Sequence, residues 1–529
     1  MARTSAELRA AARDPAFTPS VADVPILVAL LAHADDDKDD VLELERALAR
    51  QAPTAATAAT AALETSRAPG RARLVHLLGR LASDVPELAR RLVTLTGDDD
   101  PKASRLALVA LGKLPGPEAE AALLAAARAP RSPAHLRAAV EALGKIGGSG
   151  VAATLAALVT VADPGLERVT ARARLRLGRT ATRDIPSEIA VDVAPASALP
   201  IILRCRPGLE RLLADELGPG FRAAGPGRAA GQLRGPMAEL FRARTFIDFG
   251  FPRPLAAFSA DAIATAIASA RGVLARLTRG AIRYRLAFAS GGHRRALVQD
   301  IATAVAARAP ELQNDPTAST WEIEVSDRQV LLVPRRLEDP RFAYRLGDLP
   351  AASHPTLAAA LARVAGVRAD DVVWDPFVGS ASELVERARL GPVRALHGTD
   401  RDPKALEAAQ KNLAAAGVTA KLRLGNAMGP APAGVTLILT NPPMGRRVAR
   451  PDLARFVDHA AAALAPGGRL VWISPLPRAT ETRARAAGMV ATFTQTVEMG
   501  GFSADIQAFG KPTSRRGLPS TSASPRSRA

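Results

Sequence analysis

Four polar residues follow four short apolar segments in the last third of the chain. Asp375 ends VVWD, Asp400 ends ALHGTD, Asn426 follows KLRLG and Asn441 follows TLILT. Each segment has the length and the Val, Leu and Ile content of a buried strand. Because the carboxyl ends of parallel strands share one edge of a sheet, we expect the four side chains to meet in one ligand-binding cleft.

The turn after the first of these strands contains Phe377, Gly379 and Ser380 and leads into a helical segment, ELVERARL. Gly379 allows a ligand to approach the backbone closely, and the first turn of the helix offers free N–H groups. Only one glycine is present, so the turn does not match the dinucleotide fingerprint GxGxxG.

The next two strand ends extend this cleft. Asp400 stands where an acidic side chain can accept both hydroxyls of a ribose, as in other nucleotide-binding sheets. Asn426, next to Ala427, stands where a side chain can reach the edge of a purine. The pattern therefore predicts a site for a nucleoside-like ligand.

Regular alternation of strand and helix must position these residues. Between about residues 350 and 512, strand segments alternate with helical segments in short steps, and GRLVWISP adds a fifth strand. This spacing predicts a parallel, doubly wound sheet.

Together these motifs resemble those of class I S-adenosyl-L-methionine-dependent methyltransferases that act on exocyclic amines of bases. DPFVGS is similar to the family's DPxxGSG, TDRDPKALEAAQKN to its acidic ribose motif, and NPPM to its NPPY/F/W. LAPGGRLVWISP resembles its last helix-turn-strand. The Gly-Arg-Arg after NPP, behind a THUMP-like region, is most similar to the guanine-N2 methyltransferases of tRNA and ribosomal RNA.

The resemblance implies a Rossmann-like domain that binds S-adenosyl-L-methionine, and it assigns roles to individual residues. The implied cofactor-binding residues are Asp375, Phe377, Gly379, Ser380, Asp400, Arg401, Asn426, Ala427 and Asn441. The implied catalytic residues are Asn441, Pro442, Pro443 and Met444. The implied substrate-binding residues are Gly445, Arg446 and Arg447.

The NPP corner has a physical role in this chemistry. An exocyclic amine is a poor nucleophile, because its lone pair is delocalised into the ring, so it needs acceptors that hold it as it attacks the methyl donor. The Asn441 amide oxygen and the Pro442 carbonyl are the expected acceptors. Pro443 restricts the conformation of residue 442 and so helps to aim that carbonyl.

Three residues depart from the family pattern. Met444 replaces the aromatic residue that stacks on the base, although a thioether can also lie against a ring. Ala381 replaces a glycine, and Asn426 replaces the commoner Asp. These departures leave open a non-catalytic helical-repeat and RNA-binding scaffold with a degenerate methyltransferase domain. An adenine-N6 methyltransferase acting on RNA or DNA also stays open, because NPP motifs serve both kinds of enzyme.

The central part of the chain mixes strands and helices and resembles the THUMP-containing region of RNA methyltransferases. The resemblance lies in the strand LPIILRCR followed by GLERLLADELG, and in the later NDPT and YR segments. FRAAGPGRAAGQLRG and WEIEVSDRQVLLVPRRL are predicted hairpins, and PMAELFRARTFIDFG is a predicted helix. Arg283 and Arg285 on one strand face are expected to contact RNA phosphates.

The first third is helical and repetitive. Gly79, Gly112, Gly144 and Gly178 follow similar apolar helical segments at intervals of 33, 32 and 34 residues. Such a period predicts stacked helical units, which are most similar to short HEAT-type repeats. Each glycine is expected at a helix end, in a left-handed conformation. The repeats are expected to recruit a protein partner or additional RNA.

Composition sets broader limits. Lys and Arg total 70 against 52 Asp and Glu, a net charge of +18 that favours a nucleic-acid partner. A single cysteine excludes an internal disulfide, and the seven scattered histidines give no metal-ligand spacing. No signal peptide or membrane-length apolar run is present, so a cytoplasmic protein without membrane or metal partners is expected.

These observations divide the chain into five parts. The predicted boundaries are 1–180 for the HEAT-like α-solenoid, 181–197 for a linker, 198–346 for the α+β THUMP-like module, 347–512 for the methyltransferase domain and 513–529 for a disordered basic tail.

Overall fold

The computed structural model describes residues 3–34, 38–148, 150–157, 163–289, 294–347, 349, 353–444 and 452–513. The substrate-binding triplet 445–447 and all but the first residue of the predicted tail lie outside these ranges. No helix among the described residues is long and apolar enough to cross a membrane.

Paired helices form the first third of the chain and share one apolar core of Leu, Val and Ala side chains. The helices are α1 (Ser5–Ala12), α2 (Val24–Ala32), α3 (Lys38–Ala49), α4 (Ala52–Leu63), α5 (Gly70–Leu81), α6 (Leu88–Leu95), α7 (Pro101–Leu111), α8 (Pro117–Arg128), α9 (Pro133–Ile146), α10 (Val151–Ala157) and α11 (Pro164–Ala181). In this arrangement α5 packs against α7, α7 against α9, and α9 against α11. The helices α7, α8, α9 and α11 all begin with proline, which suits the first turn because its missing N–H would have no partner there.

The repeat glycines are packing residues, and the prediction of left-handed helix ends is wrong. Gly79, Gly144 and Gly178 lie inside helices, and Gly112 caps α7 with a φ of −64°. A Cβ at Gly79 would lie 2.6 Å from the Cβ of Ala110 on the next repeat helix. Glycine therefore recurs at three of these positions because neighbouring helices approach too closely for any side chain.

Two glycine substitutions should have opposite effects on stability. A Cβ at Gly144 would lie 2.6 Å from the Cα and Cβ of Ala173, so Gly144→Ala should lower the unfolding free energy by about 1–3 kcal/mol through overpacking. Gly178 has no atom within 4 Å of the same position, so Gly178→Ala should stabilise its helix by up to about 1 kcal/mol. Thermal unfolding followed by circular dichroism measures both, and an equal rise in Tm for the two variants would contradict the packing role.

Among the described residues, the central part contains an eight-stranded mixed sheet and a separate two-stranded sheet. Its strands are β1 (Ser187–Ile189), β2 (Leu199–Arg204), β3 (Arg222–Ala223), β4 (Arg228–Leu233), β5 (Asp248–Pro254), β6 (Thr278–Gly280), β7 (Ile282–Phe288), β8 (Leu312–Asn314), β9 (Trp321–Val325) and β10 (Gln329–Pro334). Its helices are α12 (Glu210–Leu217), α13 (Ala260–Ser269), α14 (Arg271–Arg276) and α15 (Arg295–Arg308). Among the described residues eight strands pair in the order β3-β4-β2-β5-β10-β9-β7-β8.

Both predicted hairpins are present, as β3 with β4 and β9 with β10. The predicted helix over PMAELFRARTFIDFG is reduced to a 3-10 helix at Met237–Arg242, and the rest of that segment leads into β5. The segment predicted as a linker contains β1, which pairs with β6 and so belongs to the central fold.

The two arginines expected to contact RNA are engaged within the protein. Arg283 is buried, and its guanidinium donates to the main-chain carbonyls of Thr182 and Ile185. Arg285 pairs with Glu322 on the neighbouring strand. Burial and these internal bonds argue against a phosphate contact for Arg283. The side chain of Arg285 is 38% exposed, so a phosphate contact of Arg285 stays a prediction.

A second sheet forms the C-terminal part. Its strands are β11 (Val372–Asp375), β12 (Ala395–Asp400), β13 (Lys421–Leu424), β14 (Leu437–Thr440), β15 (Arg469–Ser474), β16 (Val490–Glu498) and β17 (Ser503–Gly510). Its helices are α16 (Pro355–Ala365), α17 (Ser382–Leu390), α18 (Pro403–Ala416), α19 (Leu453–Ala463) and α20 (Pro477–Ala486). The strand order among the described residues is β13-β12-β11-β14-β15-β17-β16.

The five predicted strands are all present and run parallel, whereas β17 is antiparallel to both β15 and β16. The sheet is therefore mixed, not wholly parallel as predicted. Every residue of β11, β14 and β15 is buried, because helices cover both faces of the sheet centre.

Candidate functional site

The four strand-end residues lie at one edge of the C-terminal sheet. Their strands, β13, β12, β11 and β14, are direct neighbours in the sheet and all run parallel. Asp375 and Asp400 end their strands, Asn441 follows its strand directly, and Asn426 stands two residues after β13. The structure therefore brings together the residues that the sequence pattern placed in one cleft.

Asp375 is fully buried at the base of this edge. Its Oδ1 accepts hydrogen bonds from the Thr440 hydroxyl, at 2.6 Å, and from the Phe377 main-chain N–H, at 3.1 Å. Its Oδ2 is buried and has no partner among the described residues. Burial raises the pKa of Asp375 well above its ordinary value, and the nearby Glu383 carboxylate adds to the effect.

The turn after β11 is held against β12. Gly379 adopts a φ of +49°, and its N–H donates to Asp400 Oδ2 at 3.0 Å. Ser380 is buried, and its carbonyl accepts a hydrogen bond from Asn412 on α18. Ala381, which stands where the family has glycine, adopts a left-handed φ of 63°, a conformation that costs a non-glycine residue about 1 kcal/mol or more.

Asp400 keeps acceptor capacity for a ligand. Each of its oxygens takes one main-chain N–H, from Gly379 and from Asp402. A carboxylate offers about four acceptor positions, so two remain for ribose hydroxyls. Arg401 beside it is exposed.

The third strand end presents a polar side chain at the surface. Asn426 is exposed, and its Oδ1 accepts the main-chain N–H of Met428 at 2.9 Å. This bond leaves the amide N–H groups of Asn426 for a base edge. Ala427 is buried, so it supports the turn through packing.

Asn441 is held by a chain of hydrogen bonds. Its Nδ2 donates to the Ser353 hydroxyl at 2.8 Å, and that hydroxyl donates to Glu383 Oε1 at 2.6 Å. The Oδ1 of Asn441 is buried and has no partner among the described residues. The amide is therefore fixed with an unused acceptor, an arrangement that costs folding energy unless a ligand donates to it.

Glu383 anchors this chain from the first turn of α17. It is 3% exposed, and burial raises the pKa of its carboxyl above the ordinary value. Sequence reasoning did not select Glu383, since an acidic residue in the first turn is ordinary helix chemistry. The available signal was its place among Leu384, Val385 and Ala381 in a segment that the sheet buries.

The NPP corner and Met444 pack against the C-terminal part of the chain. Pro442 is buried, and Pro443 and Met444 are half-buried. Met444 packs at the margin of an apolar cluster that contains residues of both the central and the C-terminal parts. Among the described residues, no main-chain N–H bonds the Pro442 carbonyl.

The aromatic residues near the site have different environments. Trp374 is fully buried, and its indole N–H donates to Thr399, so it cannot stack on a base. Phe377 is half-buried and packs edge-to-face on Phe456, with ring centroids 5.3 Å apart. Phe502 is 45% exposed in the turn between β16 and β17.

The residues at this edge fit a donor such as S-adenosyl-L-methionine. The unpartnered Asp375 Oδ2 suits a cationic amine, and a Cβ at Gly379 would meet only the Phe377 carbonyl at 3.9 Å, so the turn is open to a ligand. Asp400 retains acceptors for hydroxyls. No group of three or more His, Cys, Asp or Glu in the described part of the chain could hold a metal ion.

Comparisons with known proteins agree with this picture for parts of the chain. Residues 343–504 match the family described as UPF0020, RMKL-like, methyltransferase domain. Residues 88–176 match HEAT repeats, which confirms the predicted repeat type over that range.

Individual relatives cover part of the chain. A tRNA (guanine(6)-N2)-methyltransferase of Thermus thermophilus is 35% identical over 159 residues, which are 28% of this chain and 46% of that protein. A tRNA (guanine(10)-N2)-dimethyltransferase of Methanothermobacter thermautotrophicus is 28% identical over 31% of this chain and 49% of that protein. The crystal structure of TrmN from Thermus thermophilus superposes with a TM-score of 0.47 at 24% identity, covering 59% of this chain and 99% of that one.

The chain thus spans about half the length of the curated relatives it matches. Asn441, with its unpartnered buried acceptor, and the strands β11 to β16 lie within residues 343–504, which match a methyltransferase domain family, and residues 88–176 match HEAT repeats.

Proposed function

We propose that this chain transfers a methyl group from S-adenosyl-L-methionine to the N2 amine of a guanine in tRNA or ribosomal RNA. The observation that carries the proposal is the buried, unpartnered Oδ1 of Asn441 in the NPP corner. Both curated relatives cited above are named as guanine-N2 methyltransferases of tRNA, and they support the choice of base and substrate class.

S-adenosyl-L-methionine, when bound, supplies an electrophilic methyl group on its sulfonium. The protein's own contribution is to hold the amine. Asn441 Oδ1 and the Pro442 carbonyl accept its two hydrogens, which favours attack through the nitrogen lone pair. In-line attack needs the nitrogen about 3–3.5 Å from the methyl carbon, so a fixed acceptor matters more than a strong base. The N–C bond would form as the S–C bond breaks, with the neutral thioether S-adenosyl-L-homocysteine as the leaving group, and the cationic nitrogen would then lose its proton to water.

Asp375 and Asp400 orient the donor in this proposal. Asp375 Oδ2 binds its amine, and the remaining acceptors of Asp400 bind ribose hydroxyls. The walls of the donor site are formed by Phe377, Gly379, Ser380 and Arg401. The adenine base of the donor lies against Asn426 and Ala427. Met444 contacts the target guanine, and Gly445, Arg446 and Arg447 contact the substrate.

The remaining parts of the proposal concern RNA and location. Residues 198–346, together with the β1 segment of 181–197, act as a THUMP-like RNA-binding module. Residues 1–180 act as a solenoid and residues 347–512 as the catalytic domain, with 513–529 as a basic tail. The net charge of +18 supports an RNA partner, and we place the reaction in the cytoplasm. A base inside a helix would have to be extruded to reach the cleft.

Nucleoside analysis tests the proposed reaction. The purified chain, mixed with total tRNA or ribosomal RNA and labelled donor, should yield N2-methylguanosine after digestion and mass spectrometry. N6-methyladenosine alone would assign the activity to adenine-N6 methylation instead. Donor binding by calorimetry without methylation of any RNA or DNA would assign the chain to the non-catalytic scaffold class.

Ser353 should act as a positioning residue for Asn441. Ser353→Ala removes the acceptor of the Asn441 amide N–H, so the amide can rotate, and kcat should fall by about tenfold. Ser353→Thr keeps the hydroxyl and should restore most of the rate. Donor affinity should change little in either variant.

A double-mutant cycle separates this role from a general loss of structure. In an Asn441→Ala background, Ser353→Ala should cause no further loss of kcat, because the group that it positions is already gone. Additive losses would show that Ser353 acts independently of Asn441.

A further inference from the structure

Four stacked helices of the solenoid, α5, α7, α9 and α11, carry basic residues at two equivalent positions. The first position lies six or seven residues before the repeat glycine, and the second lies directly after it. The first position is occupied by Arg73, Arg105, Arg137 and Arg172, and the second by Arg80, Lys113, Lys145 and Arg179. We call these eight residues the repeat basic surface.

The helix geometry places the eight side chains on one side of the solenoid. In α7, Lys102, Arg105 and Val109 are exposed, and Lys113 is exposed just after the helix ends. The residues between them are buried, except that Leu106 is half-buried. The same stripe recurs in α9 at Arg137, Glu141 and Lys145. Neighbouring helix axes lie about 8–10 Å apart, and residues seven or eight apart lie about 11 Å apart along a helix. The residues therefore form two columns of positive charge.

Acidic residues neutralise only part of this charge. Arg80 pairs with Glu45 at 2.8 Å, and Arg137 pairs with Asp163 at 3.0 Å. Lys145 lies 3.4 Å from Glu141. Among the described residues, Arg105, Lys113 and Arg172 are exposed and form no ion pair.

The opposite layer of the solenoid has mixed charge. The helices α6 and α8 carry Arg90, Arg91 and Arg128 together with Glu118 and Glu120. The excess of basic side chains is thus concentrated on the α5, α7, α9 and α11 face.

The surface is continuous with the central sheet. The guanidinium of Arg179, at the end of the second column, donates to the side chain of Asn314 on β8 at 2.9 Å. The only large apolar side chain exposed in the α7 stripe is Val109, so the surface lacks the apolar centre of a typical protein interface. A polyanion fits the chemistry better than a protein partner.

We propose that the repeat basic surface binds the phosphate backbone of the RNA substrate. This inference rests on the proposed function for the identity of the RNA, but the binding itself can be measured without catalysis. Phosphate contacts would give this surface affinity and reach without reading sequence. The base specificity would then belong to the C-terminal cleft alone.

The test compares two triple variants of the full chain in binding titrations with purified total tRNA. Arg105→Gln/Lys113→Gln/Arg172→Gln removes the three charges of the surface that are exposed and form no ion pair among the described residues. The control, Arg13→Gln/Arg90→Gln/Arg128→Gln, removes the same net charge from exposed positions elsewhere on the solenoid. Circular dichroism and thermal unfolding establish that both variants keep the helical fold.

The salt dependence of binding gives the decisive result. Loss of three phosphate contacts should reduce the steepness of log K against log salt by about 2–3, so the affinity advantage of the wild type should shrink roughly 16- to 64-fold between 50 and 200 mM salt. The control should keep the wild-type slope.

Equal slopes and affinities for the two triple variants would overturn the inference, and binding of an acidic protein alone would replace it with a protein-docking role. The proposed function is judged separately, by the nucleoside product. A wild-type chain that binds tRNA with the expected slope but yields no methylguanosine would retain this inference and refute the proposed reaction.

Discussion

Asn441→Ala should lower kcat for RNA methylation by about a hundredfold or more. The variant removes an acceptor that the fold holds in place and leaves unpartnered. In the proposed reaction this acceptor would hold the amine as the nitrogen becomes cationic. Because a preorganised dipole needs no reorganisation during the reaction, its loss acts mainly on the transition state. Donor affinity should change far less than kcat, because the donor contacts proposed for Asp375 and Asp400 remain.

A second asparagine of the same sheet edge provides the matched control. Asn426 is exposed and bonds the Met428 N–H, so Asn426→Ala should weaken donor binding while kcat at saturating donor stays near the wild-type value. Single-turnover kinetics and calorimetry measure the two effects. A wild-type kcat in Asn441→Ala, with the fold intact, would remove the NPP corner from the mechanism.

The sequence predicted the strand-end residues because their signal is local. A polar residue after a short apolar segment indicates both a buried strand and the residue at which that strand ends. Asp375, Asp400 and Asn441 can therefore be identified without knowledge of tertiary contacts. Neighbouring strands of one parallel sheet then bring these ends together. The order β13-β12-β11-β14 made the inferred cleft a consequence of topology.

The support for Asn441 could not be predicted in the same way. Ser353 lies 88 residues before Asn441 and 30 residues before Glu383. No local sequence pattern indicates that these three side chains form a chain of hydrogen bonds. The prediction that the repeat glycines stand at left-handed helix ends was wrong for a related reason. A glycine at a helix end and a glycine at a close helix contact give the same periodic signal, and only the 2.6 Å approach of Ala173 to Gly144 distinguishes them.

Strands β16 and β17 were not predicted from the sequence. Residues 490–497 alternate small or polar residues with a few apolar ones, and most of β16 is exposed or half-exposed. The position of this strand at the sheet edge leaves it little apolar surface to bury. Its pairing with β17 is therefore set by backbone hydrogen bonds more than by a strong sequence pattern.

Asp371 should prove the most important single residue for the stability of the C-terminal domain. Its carboxylate is fully buried and accepts hydrogen bonds from Arg387, Arg469 and Thr436, at 2.8 to 3.0 Å. These partners lie on α17, on β15 and just before β14, so one carboxylate joins the elements that support the cleft from below.

Asp371→Ala should lower the unfolding free energy of this domain by about 3–5 kcal/mol, because it leaves two guanidinium groups buried without their counter-charge. The side chain of Arg387 is 0% exposed and that of Arg469 is 11% exposed, so water cannot replace the lost carboxylate. Hydrogen exchange of the β11 and β14 amides, followed by mass spectrometry, measures the stability of this domain separately from that of the other parts of the chain.

The matched control is Asp458→Ala, which breaks an ion pair with Arg483 at the surface of the same domain. The two side chains are 39% and 52% exposed, so solvent already screens the pair, and exchange in β11 should stay near the wild-type rate. Equal acceleration of exchange in the two variants would contradict a special role for the buried carboxylate.

The pH dependence of the stability that the Asp371 carboxyl contributes gives an independent check with a defined sign. Burial alone would raise the pKa of Asp371, but the hydrogen bonds and charges of Arg469 and Arg387 outweigh it and lower the pKa to about 2. Because the folded pKa lies below the unfolded value of about 3.9, the stabilisation is complete above that value and is lost as the pH falls towards the folded pKa. The stability difference between wild type and Asp371→Asn should therefore be constant from neutral pH down to about pH 4 and shrink below it. A difference that stays constant down to about pH 2 would show that the carboxylate is not held in its charged form by the two arginines.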